Sequence, residues 1–376
     1  MKRNGQPTFG SILVSLTAFL AGACSSAPGG PPAQPTPAIA QAAPTVGTMP
    51  AVPATPTVGA PPSPTPSGPV WATRAPLLVA NSEIAVAELN GKIYVIGGYP
   101  SSRVVANTVQ VYDAARDAWQ LSTPLPMALH HTMAAAVNGK LYVIGGETAG
   151  SGATTGAIPP TGAGFVDRVF EFDPATGEWA SRASMPTARS GGAAAVVDGK
   201  IYVAGGRPPR GADFAVYDPA ADRWTPLPNL PTQRNHLAAA ALDGKIYVAG
   251  GRFGGGVGSE MTATLEVFDP RTNSWERKAP MPKPRAGING IAARGCFYVF
   301  GGEGNDAVPS GVFAEMEAYD PKTDRWTALT PLPTPVHGVT GAAFLNGWIH
   351  LPGGGTQRGG SSGSTIHQVY RPEIAC

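Results

Sequence analysis

Six times along the chain an apolar run ends in a pair of glycines: Gly97-Gly98, Gly145-Gly146, Gly205-Gly206, Gly250-Gly251, Gly301-Gly302 and Gly353-Gly354. No other feature restricts the fold as much. The runs are near copies of one another: GKIYVI from Gly91, GKLYVI from Gly139, GKIYVA from Gly199 and again from Gly244, GCFYVF from Gly295 and GWIHLP from Gly347. A short run that is apolar at every position suits a strand covered on both faces. Glycines at its end mark a place where a neighbouring backbone or ring comes close. An aromatic residue follows each pair, and in five copies a Trp stands seven residues further on: Tyr112/Trp119, Phe172/Trp179, Tyr217/Trp224, Phe268/Trp275 and Tyr319/Trp326. Between the two lies a turn such as Asp218-Pro219 or Asp320-Pro321, where Asp bonds the following backbone and Pro presets φ. Composition agrees. With 49 Gly and 40 Pro among 376 residues, a helical bundle is excluded. An apolar fraction of 43% is too high for a disordered chain, and no Gly-X-Y period points to collagen.

The order of these marks resembles the kelch repeat. The resemblance covers about residues 71–376 at about 51 residues per copy, close to the period of such arrays. The Gly-His and Trp-Asp marks of WD40 repeats are missing. The resemblance implies an all-β, six-bladed kelch β-propeller with four strands, a to d, in each blade. Strand a is the small-residue stretch, strand b ends in Gly-Gly, strand c ends in the aromatic, and strand d starts near the Trp. The sixth copy is incomplete, because the chain stops at Cys376 before a Trp falls due after Tyr370. The missing strand is available at the other end, from Val70 to Ala75. An N-terminal strand is therefore expected to complete the last blade and close the ring, which removes two open sheet edges.

Residues 1–23 read as an export signal, with Lys2 and Arg3 ahead of an apolar stretch from Phe9 to Leu20 and small residues at Ala21-Gly22-Ala23. Leu20 to Cys24 resembles a bacterial lipoprotein box, with its Leu four places before the Cys where three is usual. Cys24 is then the lipidated first residue of the mature chain; the alternative is a plain secreted protein. Residues 24–69 read as a disordered Pro/Ala/Thr-rich tether. Residues 25–70 carry fourteen prolines and no charge, too little apolar area to offset chain entropy, and in extended form they reach roughly 100 Å. The propeller occupies 70–376. The expected location is a bacterial cell envelope or the medium, with membrane contact only through Cys24.

Lys+Arg number 27 and Asp+Glu 25; without Lys2 and Arg3 the two are equal. A neutral surface gives no electrostatic ground for nucleic acid as a partner. No Cys or His spacing matches a zinc site, and no metal or cofactor is expected. Gly254 to Gly258 lacks the Lys-Ser/Thr of a phosphate loop. Some kelch-like propellers are copper oxidases with a Cys–Tyr cross-link, but Cys296 lies at a strand start beside Phe297-Tyr298, not at a metal mouth.

The b–c loops, which include Glu147 to Asp167, Arg252 to Thr264, Glu303 to Phe313 and Gly355 to Ser364, share one rim with the d–a connections. Counting back sixteen residues from the first Gly of each pair gives Asn81, Leu129, Arg189, Arg234, Arg285 and His337. Fourteen back stand Glu83, His131, Gly191, His236, Gly287 and Val339. Positions two apart on a strand share a face, so several of these side chains are expected at one mouth of the channel. Arg189, Arg234 and Arg285, with His337 and Asn81, form a candidate site for an anionic ligand such as a sugar acid. His131, His236 and Glu83 belong to the same candidate ligand site, and His131 and His236 could also act as acid and base near neutral pH. Kelch repeats commonly carry Arg at this place, so anchoring a blade junction is the competing role for the arginines. Cys296 and Cys376 are a candidate disulfide in an exported chain.

Two functions follow. One is a binding module that takes a protein or glycan on its b–c loop rim, favoured because those loops are rich in Gly, Ser and Thr. The other is a sugar-processing enzyme, resembling the kelch-type sialic acid epimerases (mutarotases).

Overall fold

A computed structural model of the chain describes residues 70–100, 104–148 and 164–376. The signal segment, Cys24 and the tether lie outside these, as does most of the loop after Glu147. The chain divides into Met1–Ser63 and Pro64–Cys376, and the described residues all belong to the second unit.

They form six antiparallel sheets. Blade one holds Ile84–Leu89, Lys92–Ile96, Val109–Asp113 and Ala118–Leu121; blade two Met133–Val137, Lys140–Ile144, Val169–Asp173 and Glu178–Arg182; blade three Ala193–Val197, Lys200–Ala204, Phe214–Asp218 and Arg223–Pro226. Blade four holds Ala238–Leu242, Lys245–Ala249, Leu265–Asp269 and Ser274–Lys278; blade five Asn289–Ala293, Cys296–Phe300, Met316–Asp320 and Arg325–Ala328. Blade six combines Ala343–Leu345, Trp348–Pro352 and His367–Tyr370 with the N-terminal Trp71–Thr73.

The closing strand pairs Trp71 with Tyr370 and Thr73 with Gln368. This supplies the sixth aromatic–Trp couple. In the other blades Tyr112 faces Trp119, Phe172 faces Trp179, Tyr217 faces Trp224, Phe268 faces Trp275 and Tyr319 faces Trp326 across strands c and d. All six pairs have ring centroids 4.9–5.3 Å apart, a geometry worth about 0.5–1.5 kcal/mol per pair beyond burial. Each indole N–H also donates to a backbone carbonyl at the end of the preceding blade, from Trp119 to Ala75 round to Trp71 to Thr330, at 2.8–3.1 Å. The repeated Trp is thus a bolt between blades, and the N-terminal strand carries the last one.

The cores lie between blades. Six apolar clusters fill the six junctions, and the b strands are buried on both faces. Cys296 and Cys376 are joined by a disulfide with Cα atoms 5.1 Å apart. It ties the chain end, beyond blade six, to strand b of blade five.

Blade six differs in strand a, which is broken into Val339–Thr340 and Ala343–Leu345. Its first piece runs parallel to Ile84–Ala85 of blade one and seals the seam. Gly341 in the break has φ +87° and lies against the Val86 carbonyl, where a Cβ would come within 2.8 Å.

Candidate functional site at the axial mouth

Every strand a is entered through three residues, and the three positions do different work. The third position of each, Glu83, His131, Gly191, His236, Gly287 and Gly338, has positive φ. This turn lets each residue's N–H reach the carbonyl of its predecessor in the next blade. The N–H of His131 donates to Glu83 O, Gly191 to His131 O, His236 to Gly191 O, Gly287 to His236 O and Gly338 to Gly287 O, at 2.7–3.1 Å. Ile84 N closes the ring on Gly338 O at 3.1 Å. The result is a circle of backbone hydrogen bonds around the axis, carrying Glu83, His131 and His236 as its only side chains larger than hydrogen. The glycines make room for them: a Cβ on Gly338 would sit 2.9 Å from the Glu83 carboxyl.

The first position points the other way. Arg189, Arg234 and Arg285 are buried and lie against their own blade's b and c strands. Arg234 donates to Gly250 O at 2.8 Å, to Val248 O at 3.0 Å and to Glu266 Oε2 at 2.6 Å. Arg285 donates to Gly301 O at 2.9 Å and pairs with Glu317. Arg189 donates to Val203 O at 3.1 Å and Asp213 O at 3.0 Å. Asn81 caps the Gly97 carbonyl in the same manner. The expected arc of arginines at the mouth is therefore corrected. The Gly-Gly turn leaves carbonyls facing a blade junction, and a buried guanidinium needs those acceptors and a carboxylate, so the side chain turns outward from the axis.

His337 departs from the expected alignment in the opposite sense. The break at Gly341 adds one residue to blade six, so Val336 occupies the place of the arginines: Gly302 N donates to Val336 O as Gly251 N does to Arg285 O. His337 stands at the second position and reaches the mouth; Gly338, not Val339, completes the ring.

The second positions bridge to the residue that follows each Gly-Gly. Ser82 pairs with Tyr99, His130 with Glu147, Asn235 with Arg252, Ala286 with Glu303 and His337 with Gly355; Arg207 N donates to Ser190 O at 2.8 Å. The residues after Gly-Gly are the ones that motif counting missed. Their side chains meet above the ring. Glu83 Oε2 lies 3.0 Å from His131 Nε2, and the Arg207 guanidinium comes within 3.1 Å of that same nitrogen. Arg207 also lies 3.5 Å from Glu147, which accepts from Ser190 Oγ at 3.1 Å. Arg252 pairs with Glu303 and donates to His236 Nε2 at 2.8 Å. Tyr99 OH lies 2.9 Å from His130 Nε2, whose other nitrogen meets His131 Nδ1. His337 Nδ1 lies 3.8 Å from Glu83 and 3.7 Å from Glu303, and its Nε2 donates to Gln357 O at 2.7 Å.

Burial works to raise the Glu83 carboxyl, but the charge and hydrogen bond of His131, with His337 and Arg207 behind, outweigh it and hold Glu83 well below the usual carboxylate range. Glu303 is likewise lowered against its burial, by His337 and Arg252. Burial, reinforced by neighbouring cations, pushes His130 and His236 well below the ordinary imidazole value. Ionised Glu83 and Glu303 therefore stand beside neutral His130 and His236, a donor and acceptor set able to hold a polar ligand or move a proton.

Fold and site together define a six-bladed kelch propeller with a built polar mouth. The KLHDC2/KLHL20/DRC7 Kelch-repeats domain matches residues 67–251 and 166–354, and the chain belongs to the Kelch-repeat family. It is similar to Kelch-like protein terF of Aspergillus terreus, 32% identical over 220 residues, 54% of this chain and 46% of that protein. It is also similar to Kelch-like ECH-associated protein 1A of Danio rerio, 33% identical over 100 residues, 27% of this chain and 16% of that protein. The matches thus span less than half the length of these curated relatives. Among solved structures, that titled "Structure of YjhT" aligns with TM-score 0.63 and 17% identity over 79% of this chain and 96% of that one, which establishes the fold alone.

Proposed function

We propose that this protein is an exported, lipid-anchored kelch propeller that binds a protein or glycan through its b–c loop face. The observation that carries the reading is the placing of exposed apolar side chains. Among the described residues the exposed large hydrophobics are Leu78, Val104, Leu121, Phe253, Val257 and Val308. Val104, Phe253, Val257 and Val308 lie on b–c loops, and Leu78 lies on the d–a connection of the same rim. Apolar groups gathered on one rim around a polar mouth mark an interaction face. The Cys296–Cys376 disulfide fits an oxidising compartment, and Cys24 with the Pro-rich segment after it fits a tethered lipoprotein.

Purified protein on a glycan array and on intact cell envelopes tests this. A Phe253→Asp, Val308→Asp double variant is expected to lose at least tenfold in binding with an unchanged melting temperature. Equal binding by the variant, or none by the parent on either surface, overturns the reading. Cys24→Ser is expected to move the protein from the membrane fraction into the medium or periplasm; unchanged retention rules out the anchor.

One observation favours the enzymatic alternative, a sugar epimerase or mutarotase. The Glu83–His131 pair lies at the axis with His236 beside it, the carboxylate and imidazole groups that acid–base catalysis uses. Proton NMR of anomer exchange in a sialic acid distinguishes the two. Acceleration that Glu83→Gln abolishes supports catalysis, and an uncatalysed rate leaves the binding module alone.

A further inference from the structure

Three of the six ring positions carry Glu83, His131 and His236 at φ +54°, +51° and +55°, where the other three are glycine. Holding a side chain in the left-handed region costs free energy, and all three that do so face one point on the axis. They line a cavity of about 20 Å³ together with Gly191, Gly287 and Gly338, room for one water or one ion and little else. One oxygen of Glu83 and one nitrogen of each histidine lie within 4.8 Å of one another.

The outer nitrogens of both histidines are already held. Asn235 donates from its amide nitrogen to Arg252 O and Gly254 O, so its oxygen faces His236 Nδ1 at 2.6 Å and accepts a hydrogen bond from it. That leaves the lone pair on Nε2, where Arg252 now donates. His131 Nδ1 meets His130, which is fixed in turn by Tyr99. Outer partners that set the tautomer and aim the inner nitrogen are how proteins present histidine to a metal. The charges agree. Around the cavity Glu83, Glu147 and Glu303 stand against Arg207 and Arg252, three carboxylates to two guanidiniums.

We propose that Glu83, His131 and His236 form a binding site for one divalent transition-metal ion, zinc being the best fit to two imidazoles and a carboxylate with a position open to water. The ion draws the three ligand atoms closer, displaces to solvent the proton between Glu83 and His131 Nε2, and takes the lone pairs of both Nε2 atoms; Arg207 and Arg252 fall back on Glu147 and Glu303, which they already approach. The sequence shows no zinc spacing because the ligands come from blades one, two and four. The site does not depend on the loop-face reading and stands if no protein or glycan binds.

The test uses the full chain without an affinity tag, stripped with a chelator and titrated with zinc chloride by calorimetry. One zinc per chain is expected, with a Kd below about 10 μM. His131→Gly and His236→Gly place in the ring the residue that three equivalent positions already hold. Both should fold, His236→Gly near the parental melting temperature and His131→Gly below it for the loss of the Glu83 partner, and each should weaken zinc by more than about tenfold. X-ray absorption on the zinc-loaded parent needs no substitution and should show two imidazoles with oxygen ligands at about 2.0–2.2 Å. No saturable binding, binding unchanged in both glycine variants, or a zinc shell lacking imidazole overturns the proposal.

Discussion

Arg234 and His236 stand two residues apart at the same strand entrance, yet they belong to different regions of the molecule. Arg234 lies in the junction between blades, with Gly250, Val248 and Glu266 around it. His236 lies on the axis, in contact with Arg252 and Asn235. The junctions repeat the same solution six times: Gly-Gly, a polar or bulky group behind it, and a Trp bolted to the preceding blade. The mouth repeats a backbone ring but puts side chains on only three of its six positions, Glu83, His131 and His236. Where the copies agree, the residues hold the ring together. Where they differ at one register, the side chains are free to be a site. The three arginines in consecutive blades, each tied to its own blade's carbonyls, are thus scaffold, and the charged set Glu147, Arg207, Arg252, Glu303 around the axis is the candidate site.

The largest effect is expected from breaking the ring at its closure. A chain beginning at Pro76 loses the Trp71–Tyr370 pair, the Trp71 bond to Thr330 and the N–H of Ala75 to Asp117 at 2.9 Å. It also leaves His367–Tyr370 as an open edge. Its cooperative melt should fall well below that of a chain beginning at Pro69; equal melting temperatures would show that the junction bolts do not carry the fold.

Next comes the disulfide. Cys296 and Cys376 close a loop of 80 residues, and removing the bond by Cys376→Ser should cost about 2–4 kcal/mol in chemical denaturation, with reduction of the parent costing as much. A variant as stable as the parent sharpens the comparison by leaving closure to the N-terminal strand alone.

A smaller effect is expected from acid. At the seam His350 Nδ1 and His367 Nε2 are 3.0 Å apart and packed on Tyr112 and Trp119. Burial, aided for His350 by the charge of Arg74 and for His367 by His350, lowers them to about 4 and about 3. Because these folded-state values lie below the unfolded value of about 6.5, the neutral form is the folded one. Its contribution is whole above pH ~6.5 and is lost as pH falls toward 4. His130 and His236, lowered in the same direction, add to that loss at the mouth. A His350→Gln, His367→Gln variant should flatten only the seam's share of the fall in melting temperature between pH 7 and 4; an unchanged profile would place the whole dependence elsewhere.

Much of the fold is legible in the sequence because its rules are local and repeated. The Gly-Gly runs give strand b, the aromatic–Trp interval gives the c–d hairpin, and the unpaired Tyr370 calls for Trp71. The mouth is only half legible. Counting from Gly-Gly finds Glu83, His131 and His236, since the ring keeps its register in blades one to five. The same count puts His337 one place off, because the break at Gly341 adds a residue that no local pattern announces. It also cannot say that positions two apart face opposite ways once a left-handed residue stands between strand and loop. The residues after Gly-Gly escape notice because no one type holds the place, which is Tyr, Glu, Arg, Arg, Glu and Gly in turn, although their constant place in the motif is the signal that would have found them.

Arg234→Ala and His236→Gly, compared by chemical denaturation under one set of conditions, test the division between junction and mouth most directly. Arg234→Ala takes the guanidinium from a buried Glu266 carboxylate, leaving it Thr232 and the exposed Arg277, and should lose about 3–5 kcal/mol. His236→Gly relieves a left-handed residue on the axis and should stay within about 1 kcal/mol of the parent. A His236→Gly loss as large as that of Arg234→Ala, or an Arg234→Ala variant as stable as the parent, would contradict the division of the molecule into repeated scaffold and variable site.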